Sequence, residues 1–283
     1  MENTFLEQVT KGDRFQFGAN WKSFLDSINE QRINNAAESL DAMLGKKNYT
    51  GLSFLDVGSG SGLFSLAARK LGFKVYSFDF DKQSIACTKK LKELYFKEDN
   101  NWTIEQGSVL DLEYIRNLGT FDVVYSWGVL HHTGQMWKAL DNADLPVKEN
   151  GKLFIAIYND QHLKSKIWLT VKQIYNANMI GRLLVKSFFI SFFTLGYFIR
   201  DITRLKNPLS RYREYKQQRG MALYTDLIDW IGGLPFEVAS PDAIFNFYTE
   251  KNYILQKLIT TNHYGCNQFV FKKNFQSSKQ TLQ

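Results

Sequence analysis

Cysteine is scarce in this sequence: 283 residues carry two, Cys87 and Cys266, far apart and with no CxxC partner. That excludes a zinc ribbon and a disulfide framework, no metal is expected, and a reducing cytosol fits. The opening stretch Met1–Arg14 is polar and charged, without the apolar core of a signal peptide, so the expectation is a cytoplasmic protein. The apolar run Ser187–Ile199 holds thirteen uncharged residues, short of the roughly 20 that span a bilayer. No repeat or low-complexity tract interrupts the chain.

What is present is an ordinary apolar share of 44% and a high aromatic share of 15%, enough to bury a core without covalent staples. The net charge of +7 is unevenly placed. Residues 161–220 hold twelve cations against Asp201 and Glu214, a balance of +10, which leaves the rest of the chain at −3. The basicity belongs to one segment.

Apolar positions at helical spacing between Ile28 and Leu44, ended by Gly45, predict an N-terminal helical cap after the aromatic lead-in Phe15–Trp21. From Leu52 the pattern changes. Short apolar runs at Ser53–Val57, Lys74–Phe78, Trp102–Gln106, Phe121–Ser126 and Lys152–Tyr158 read as strands. Helices are expected between them at Leu63–Leu71, Lys82–Tyr95, Leu112–Asn117 and Met136–Leu145. This alternation predicts an α/β, doubly wound, mostly parallel sheet. It stops after Tyr158 and resumes at Ser240-Pro241-Asp242, a helix start. Two further strands, Tyr253–Thr260 and Gln268–Lys272, suggest a terminal antiparallel hairpin. The expected organisation is a cap over 1–50, a core over 51–158, a helical insertion over 159–239, the last helix and hairpin over 240–274, and a tail over 275–283.

The core carries a glycine turn. Phe54-Leu55-Asp56-Val57-Gly58-Ser59-Gly60-Ser61-Gly62 runs from strand to helix, and glycines there let backbone approach a ligand. Asp79 ends the next strand, 21 residues after Gly58, where dinucleotide folds place a carboxylate against ribose hydroxyls. The third glycine comes one residue too early for a pyrophosphate turn, and Asp56 would repel a pyrophosphate. It could instead orient the cationic amino group of a methionine moiety. The spacing favours a methyl donor over a nicotinamide. Gly107-Ser108-Val109-Leu110-Asp111 follows the third strand. Phe121-Asp122-Val123-Val124-Tyr125-Ser126-Trp127-Gly128-Val129-Leu130-His131-His132 forms the fourth strand and its loop, and Lys148–Ile155 forms the turn into the fifth.

Taken in order, these segments resemble the motifs of class I S-adenosylmethionine-dependent methyltransferases, in particular the small-molecule, ubiquinone-methylase-like branch. The resemblance implies a seven-stranded sheet with S-adenosylmethionine as cofactor. It implies donor contacts from Asp56, Gly58, Ser59, Gly60, Gly62, Asp79, Phe80, Ser108, Val109 and Trp127. It also removes options. The fourth-strand loop lacks the Pro-Pro-aromatic signature of amino-methylating DNA enzymes, the Pro-Cys of cytosine C5 methylases and the paired glutamates of arginine methylases.

Histidine near neutral pH is suited to take a hydroxyl proton, so His131 and His132 are candidate bases, with only one expected to face the chemistry. Asp229 and Glu237 are the other candidates, around a Gly232-Gly233-Leu234-Pro235 turn read as exposed, polar and suited to a sugar. Trp21, Tyr158, Asn159, Arg219 and Trp230 are candidate acceptor contacts. The run Ser187–Ile199 is read either as a buried helix of a lid or as a surface helix dipping into a membrane, with Arg182, Lys186, Arg200 and Arg204 on anionic headgroups at the inner face. The expected reaction is methylation of an oxygen or nitrogen on a small molecule, a saccharide or lipid-linked glycan among the options. The alternatives are an RNA methyltransferase using the basic insertion and a noncatalytic donor-binding scaffold.

Overall fold

The computed structural model describes residues 2–16, 25, 28–45, 48–205, 207 and 223–274. Helix α1 (Glu2–Lys11) and helix α2 (Glu30–Leu44) precede the sheet. The core alternates β1 (Ser53–Val57), α3 (Leu63–Lys70), β2 (Lys74–Asp79), α4 (Lys82–Tyr95), β3 (Trp102–Gln106), α5 (Leu112–Asn117), β4 (Phe121–Trp127), α6 (Met136–Asp144) and β5 (Val147–Tyr158). Helices α7 (Leu163–Ala177), α8 (Met179–Thr203) and α9 (Leu223–Gly232) follow, then α10 (Pro241–Thr249), β6 (Tyr253–Ile259) and β7 (Cys266–Lys273).

The seven strands form one sheet in the order β3-β2-β1-β4-β5-β7-β6. The first five run parallel. Strand β7 enters antiparallel between β5 and β6. Parallel strands covered by helices on both faces read as continuous apolar runs, and β1 and β4 are buried along nearly their whole length. One core cluster contains Leu55, Val124, Leu140, Ile155 and Phe269. The other contains Ile33, Phe54, Leu66, Phe73 and Trp102. The two sets of side chains come from opposite faces of the same strands, as the two-residue side-chain period requires.

Helices α2, α4 and α10 are capped at their starts by residues that chemistry favours. Asn29 accepts from the Arg32 N–H at 3.0 Å, and Asp81 from the Gln83 N–H at 2.8 Å. Ser240 caps α10 ahead of Pro241. Strand β5 begins earlier than the sequence predicts. Val147 already pairs with Phe121, and the residues read as a turn form an irregularity in the strand, with Asn150 at φ 59°.

Residues 159–239 leave and rejoin the sheet at one place. Asn159 and Ala239 form a parallel bridge, and the Ala239 N–H donates to the Tyr158 carbonyl at 3.0 Å. The N-terminal segment packs against this excursion. The Phe15 N–H donates to the Leu234 carbonyl at 2.9 Å. A side chain at Gly12 would lie 2.4 Å from the Asn176 carbonyl oxygen, so α7 and the end of α1 approach backbone to backbone.

Candidate active site

The carboxyl ends of β1, β2 and β4 meet at one edge of the sheet, where open α/β sheets bind ligands. Strand β1 turns through Gly58, Ser59, Gly60, Ser61 and Gly62 into α3. The three glycines hold φ of 82°, 53° and 81°, a region open to glycine at little cost. At Gly58 a Cβ would lie 2.4 Å from Val129 Cγ1, so the loop after β4 can rest on this turn only because position 58 is glycine. The Gly58 and Ser59 N–H groups donate to the Phe78 carbonyl at 2.9 and 3.0 Å. The Ser59 hydroxyl is buried against Thr88 Oγ1 at 3.1 Å.

Asp79 locks the turn from the neighbouring strand. Its Oδ2 accepts the Gly60 N–H at 2.9 Å and its Oδ1 the Asp81 N–H at 2.8 Å. Burial raises its pKa to about 6, partly offset by these backbone donors. The group is therefore ionised at neutral pH, and each oxygen keeps lone pairs for a diol.

Asp56 lies elsewhere. Its carboxyl group is 2% exposed and accepts the Ser65 hydroxyl at 2.5 Å. Ser65 meets Ser77 Oγ at 2.7 Å, which accepts from Trp102 Nε1 at 2.9 Å. Desolvation pushes the Asp56 pKa to about 7. The expectation that Asp56 faces a ligand's ammonium group is corrected: the side chain points into the packing of α3 on β2 and β3. Val109 is likewise a core side chain, and its carbonyl accepts Asn142 Nδ2 at 2.7 Å. Ser108 Oγ accepts the Leu110 N–H at 3.2 Å in a local turn. Phe80 is half-buried, and Trp127 is 44% exposed at the end of β4.

The loop after β4 brings His131 and His132 together with Tyr158. His131 is fully buried, its ring centre 4.0 Å from that of Tyr158, and its Nδ1 accepts the Tyr158 N–H at 3.3 Å. His132 is half-buried, and its Nδ1 lies 2.5 Å from the Pro235 carbonyl oxygen. A carbonyl only accepts, so Nδ1 carries the proton and Nε2 keeps a lone pair. Burial holds His131 well below the ordinary imidazole range and His132 at about 3. Both rings are neutral at physiological pH. A base poised near neutrality is thus not what the fold provides.

Three other assignments change. Both Glu237 oxygens accept the Met136 N–H, at 3.1 and 3.0 Å, so this carboxylate caps α6. Gly232, Gly233 and Leu234 are buried, not an exposed turn, because Phe15 and Tyr175 press on Gly232. The Asn159 side chain bonds the Thr261 carbonyl at 2.8 Å and Asn267 Nδ2 at 3.0 Å, tying down the last hairpin. Trp21, Arg219 and the Asp229 side chain lie outside the described residues.

Two cations that the sequence reading missed pack beside these residues. Arg14 donates to the His132 and Thr133 carbonyls at 3.1 and 3.4 Å, and its guanidinium sits 5.3 Å from the centre of the Phe80 ring. Nothing local in the sequence marks it. Lys172 is 2% exposed, donates to the Trp230 carbonyl, and places Nζ 4.9 Å from the Phe236 ring centre. Phe236 stands 5.5 Å from Tyr158. A lysine four residues after Trp168 and three before Tyr175 falls on the apolar face of a helix, a readable signal.

The Methyltransferase domain family matches residues 28–195, more than half of the sequence. The chain belongs to this methyltransferase family. Among curated relatives, the Ubiquinone biosynthesis O-methyltransferase of Vibrio parahaemolyticus is 27% identical over 147 residues, 52% of this chain and 58% of that protein. Its counterpart from Paraburkholderia xenovorans is 28% identical over 140 residues, 47% of this chain and 55% of the relative. The methyltransferase thus spans little more than half the length of the curated relatives it matches. Among solved structures, magnesium protoporphyrin IX methyltransferase from Synechocystis, with S-adenosylhomocysteine bound, aligns at TM-score 0.51 and 14% identity, covering 87% of this chain and 89% of that one. An O-methyltransferase family protein from Burkholderia thailandensis aligns at 0.51 and 12% identity, covering 87% and 56%. These likenesses show the fold, a class I methyltransferase sheet.

The magnesium protoporphyrin IX methyltransferase of this fold was crystallised with S-adenosylhomocysteine and with S-adenosylmethionine bound. The residues present here fit such a donor: a glycine turn only partly buried at Gly58 and Gly60, and an ionised, half-buried carboxylate at the end of β2. The donor supplies a methyl group on a cationic sulfur, already activated for in-line displacement, so the protein's contribution is largely positioning.

Proposed function

We propose that this methyltransferase transfers the methyl group to an oxygen of a small, largely apolar acceptor bound against the loop after β4. In this reading the Gly58–Gly62 turn and Asp79 hold the donor, with Phe80, Ser108 and Trp127 along its rim. The observation that carries the acceptor assignment is the aromatic enclosure of Tyr158, His132, Phe236 and Trp230 around the buried cation of Lys172. Clustered aromatic rings favour a flat apolar acceptor, and a cation in a dry site favours an oxygen that bears or gains negative charge. The names of the curated relatives, O-methyltransferases of ubiquinone biosynthesis, support oxygen as the atom methylated. A saccharide fits less well, because the Gly232–Glu237 stretch is engaged in packing and capping.

His132 is the half-exposed member of the pair and orients the acceptor hydroxyl through Nε2. A pKa near 3 is no obstacle to receiving the proton as the oxygen–methyl bond forms. A protonated ether is a far stronger acid than an imidazolium, so even a weakened base takes the proton.

The test is methyl transfer from labelled S-adenosylmethionine to a panel of phenols, alcohols, sugars and amines, with mass spectrometry locating the methyl group. Transfer to hydroxyl-bearing aromatic compounds is expected. Transfer confined to amines or sugars would overturn the oxygen and aromatic assignments respectively.

A further inference from the structure

Helix α8 resolves the two readings of the apolar insertion in an unexpected way. It is 25 residues long, yet only Gly181, Val185 and Asp201 are buried. A stripe at four-residue spacing, Gly181, Val185, Phe189, Phe193, Tyr197 and Asp201, faces the protein. Phe189 packs 5.0 Å from Trp168 and Phe193 6.0 Å from Trp230. A side chain at Gly181 would lie 2.3 Å from the Ile174 carbonyl oxygen, so α7 and α8 meet closely there. The buried-lid reading is therefore overturned for most of the helix.

The opposite face is apolar and faces solvent. Ile180, Leu184, Phe188, Phe192, Leu195, Ile199 and Ile202 recur at spacings of four and three, and each is between 51% and 71% exposed. This stripe runs roughly 33 Å along the helix at 1.5 Å per residue. Soluble monomers rarely leave so large a contiguous apolar surface in water. No charged residue interrupts it between Ser187 and Ile199. Arg182 and Lys186 stand at one end, Arg200 and Arg204 at the other, and the sequence beyond adds Lys206, Arg211, Arg213, Lys216 and Arg219.

We propose that α8 docks the protein onto the surface of an anionic phospholipid bilayer, lying in its plane with the Ile180–Ile202 stripe among the acyl chains. An apolar face flanked by cations matches a surface with an apolar interior and anionic headgroups. The helix is long and apolar enough to cross a membrane, but its inner stripe, Asp201 included, is packed on the protein. A crossing helix would have to abandon Trp168 and Trp230. Phe193 touches Trp230, whose carbonyl accepts from Lys172. The inner face of the docked helix therefore adjoins the aromatic enclosure, which would lie about one helix diameter, ~10 Å, from the lipid. The docking argument rests on exposure and charge, not on the acceptor assignment.

The experiment is co-sedimentation of the full chain with vesicles of phosphatidylcholine alone or mixed equally with phosphatidylglycerol. It is repeated for the double variants Phe188→Glu/Phe192→Glu and Arg200→Glu/Arg204→Glu. Binding to mixed vesicles, weakened by salt and by about tenfold or more in each variant, is the expected result. S-adenosylmethionine binding by calorimetry should be unchanged in both variants, which separates a docking failure from a loss of fold or of donor function. Absence of vesicle binding by the wild-type chain overturns the proposal. So does a concentration-dependent dimer, seen by ultracentrifugation, that Phe188→Glu/Phe192→Glu disrupts, because a second copy would then cover the face. Retention on RNA at physiological salt, abolished by the arginine variant and untouched by the phenylalanine variant, overturns it in favour of a nucleic-acid surface.

Discussion

The guanidinium of Arg14 lies 5.3 Å from the centre of the Phe80 ring while donating to the His132 and Thr133 carbonyls at 3.1 and 3.4 Å. Phe80 follows β2 and His132 follows β4, and these strands flank β1. One side chain from the N-terminal segment thus bridges the segments that follow β2 and β4, beside the proposed donor site. Asp79 and Asp81 act on it favourably, against the cost of burial.

Removing that bridge should loosen the N-terminal segment and the donor together. Arg14→Ala is expected to weaken S-adenosylmethionine binding by about tenfold, the scale of one or two charge-assisted hydrogen bonds. It should also speed proteolysis before Gly18. Calorimetry and limited proteolysis would check this. Unchanged donor affinity would mean that the bridge serves only to dock α1.

Asp79 predicts a pH dependence. Its pKa of about 6 in the donor-free protein means that protonation competes with its role as acceptor for hydroxyls. Donor binding should favour the ionised form, so affinity is full above about pH 7 and falls as pH drops through 6. Asp79→Asn should flatten this profile, and Asp79→Ala should cost about 1.5–3 kcal/mol of binding at neutral pH. A donor affinity independent of pH from 5 to 8 in the wild-type protein would remove Asp79 from the ribose role.

Asp56 predicts the opposite kind of effect, on stability. The folded protein holds its proton up to about pH 7, whereas an unfolded chain releases it near 3.9. The native state thus binds more protons between these values, so this group's contribution to stability is full below pH 4 and is lost as pH rises through 7. Asp56→Asn keeps an oxygen to accept the Ser65 hydroxyl and carries no charge to desolvate. Its melting temperature relative to wild type should rise between pH 5 and pH 8. Donor affinity should fall less than in Asp79→Asn, since Asp56 is turned toward Ser65.

The contrast between these two acids shows what the sequence made legible. Strand ends, helix starts and the glycine turn follow from apolar periodicity and local capping chemistry, so β1, β3 and α4 lie where the pattern places them. Asp56 and Asp79 look alike in sequence, each an acid at a strand end. Only the packing of Ser65 and Ser77 draws one inward, and serines carry no advance notice of which partner they will take. Arg14 meets the site across 118 residues of sequence, a contact that no local pattern encodes. Lys172 was readable, as a charge on an apolar helix face. The exposure of α8 was not, because a thirteen-residue apolar run looks the same whether protein or lipid covers it.

The two histidines give the last prediction. His131 is enclosed, packed against the Tyr158 ring and bonded to its backbone, so its removal leaves a cavity in the loop that carries Val129 onto Gly58. His131→Ala should lower stability by about 2–4 kcal/mol, the range of large-to-small core substitutions, while rate per folded molecule falls little. His132 is the half-buried member of the pair and the proposed proton acceptor, so His132→Ala should lower single-turnover methyl transfer by about 10²–10⁴-fold with donor affinity retained. Burial holds His132 at about 3, so it is already unprotonated throughout the working range. At saturating donor, the wild-type rate should therefore show no histidine limb between pH 6 and 9. An inflection near pH 6.5 that disappears in His132→Ala would show instead that acceptor binding restores an ordinary imidazole. Near-normal rates in both variants would leave Lys172 and positioning by the insertion as the source of catalysis.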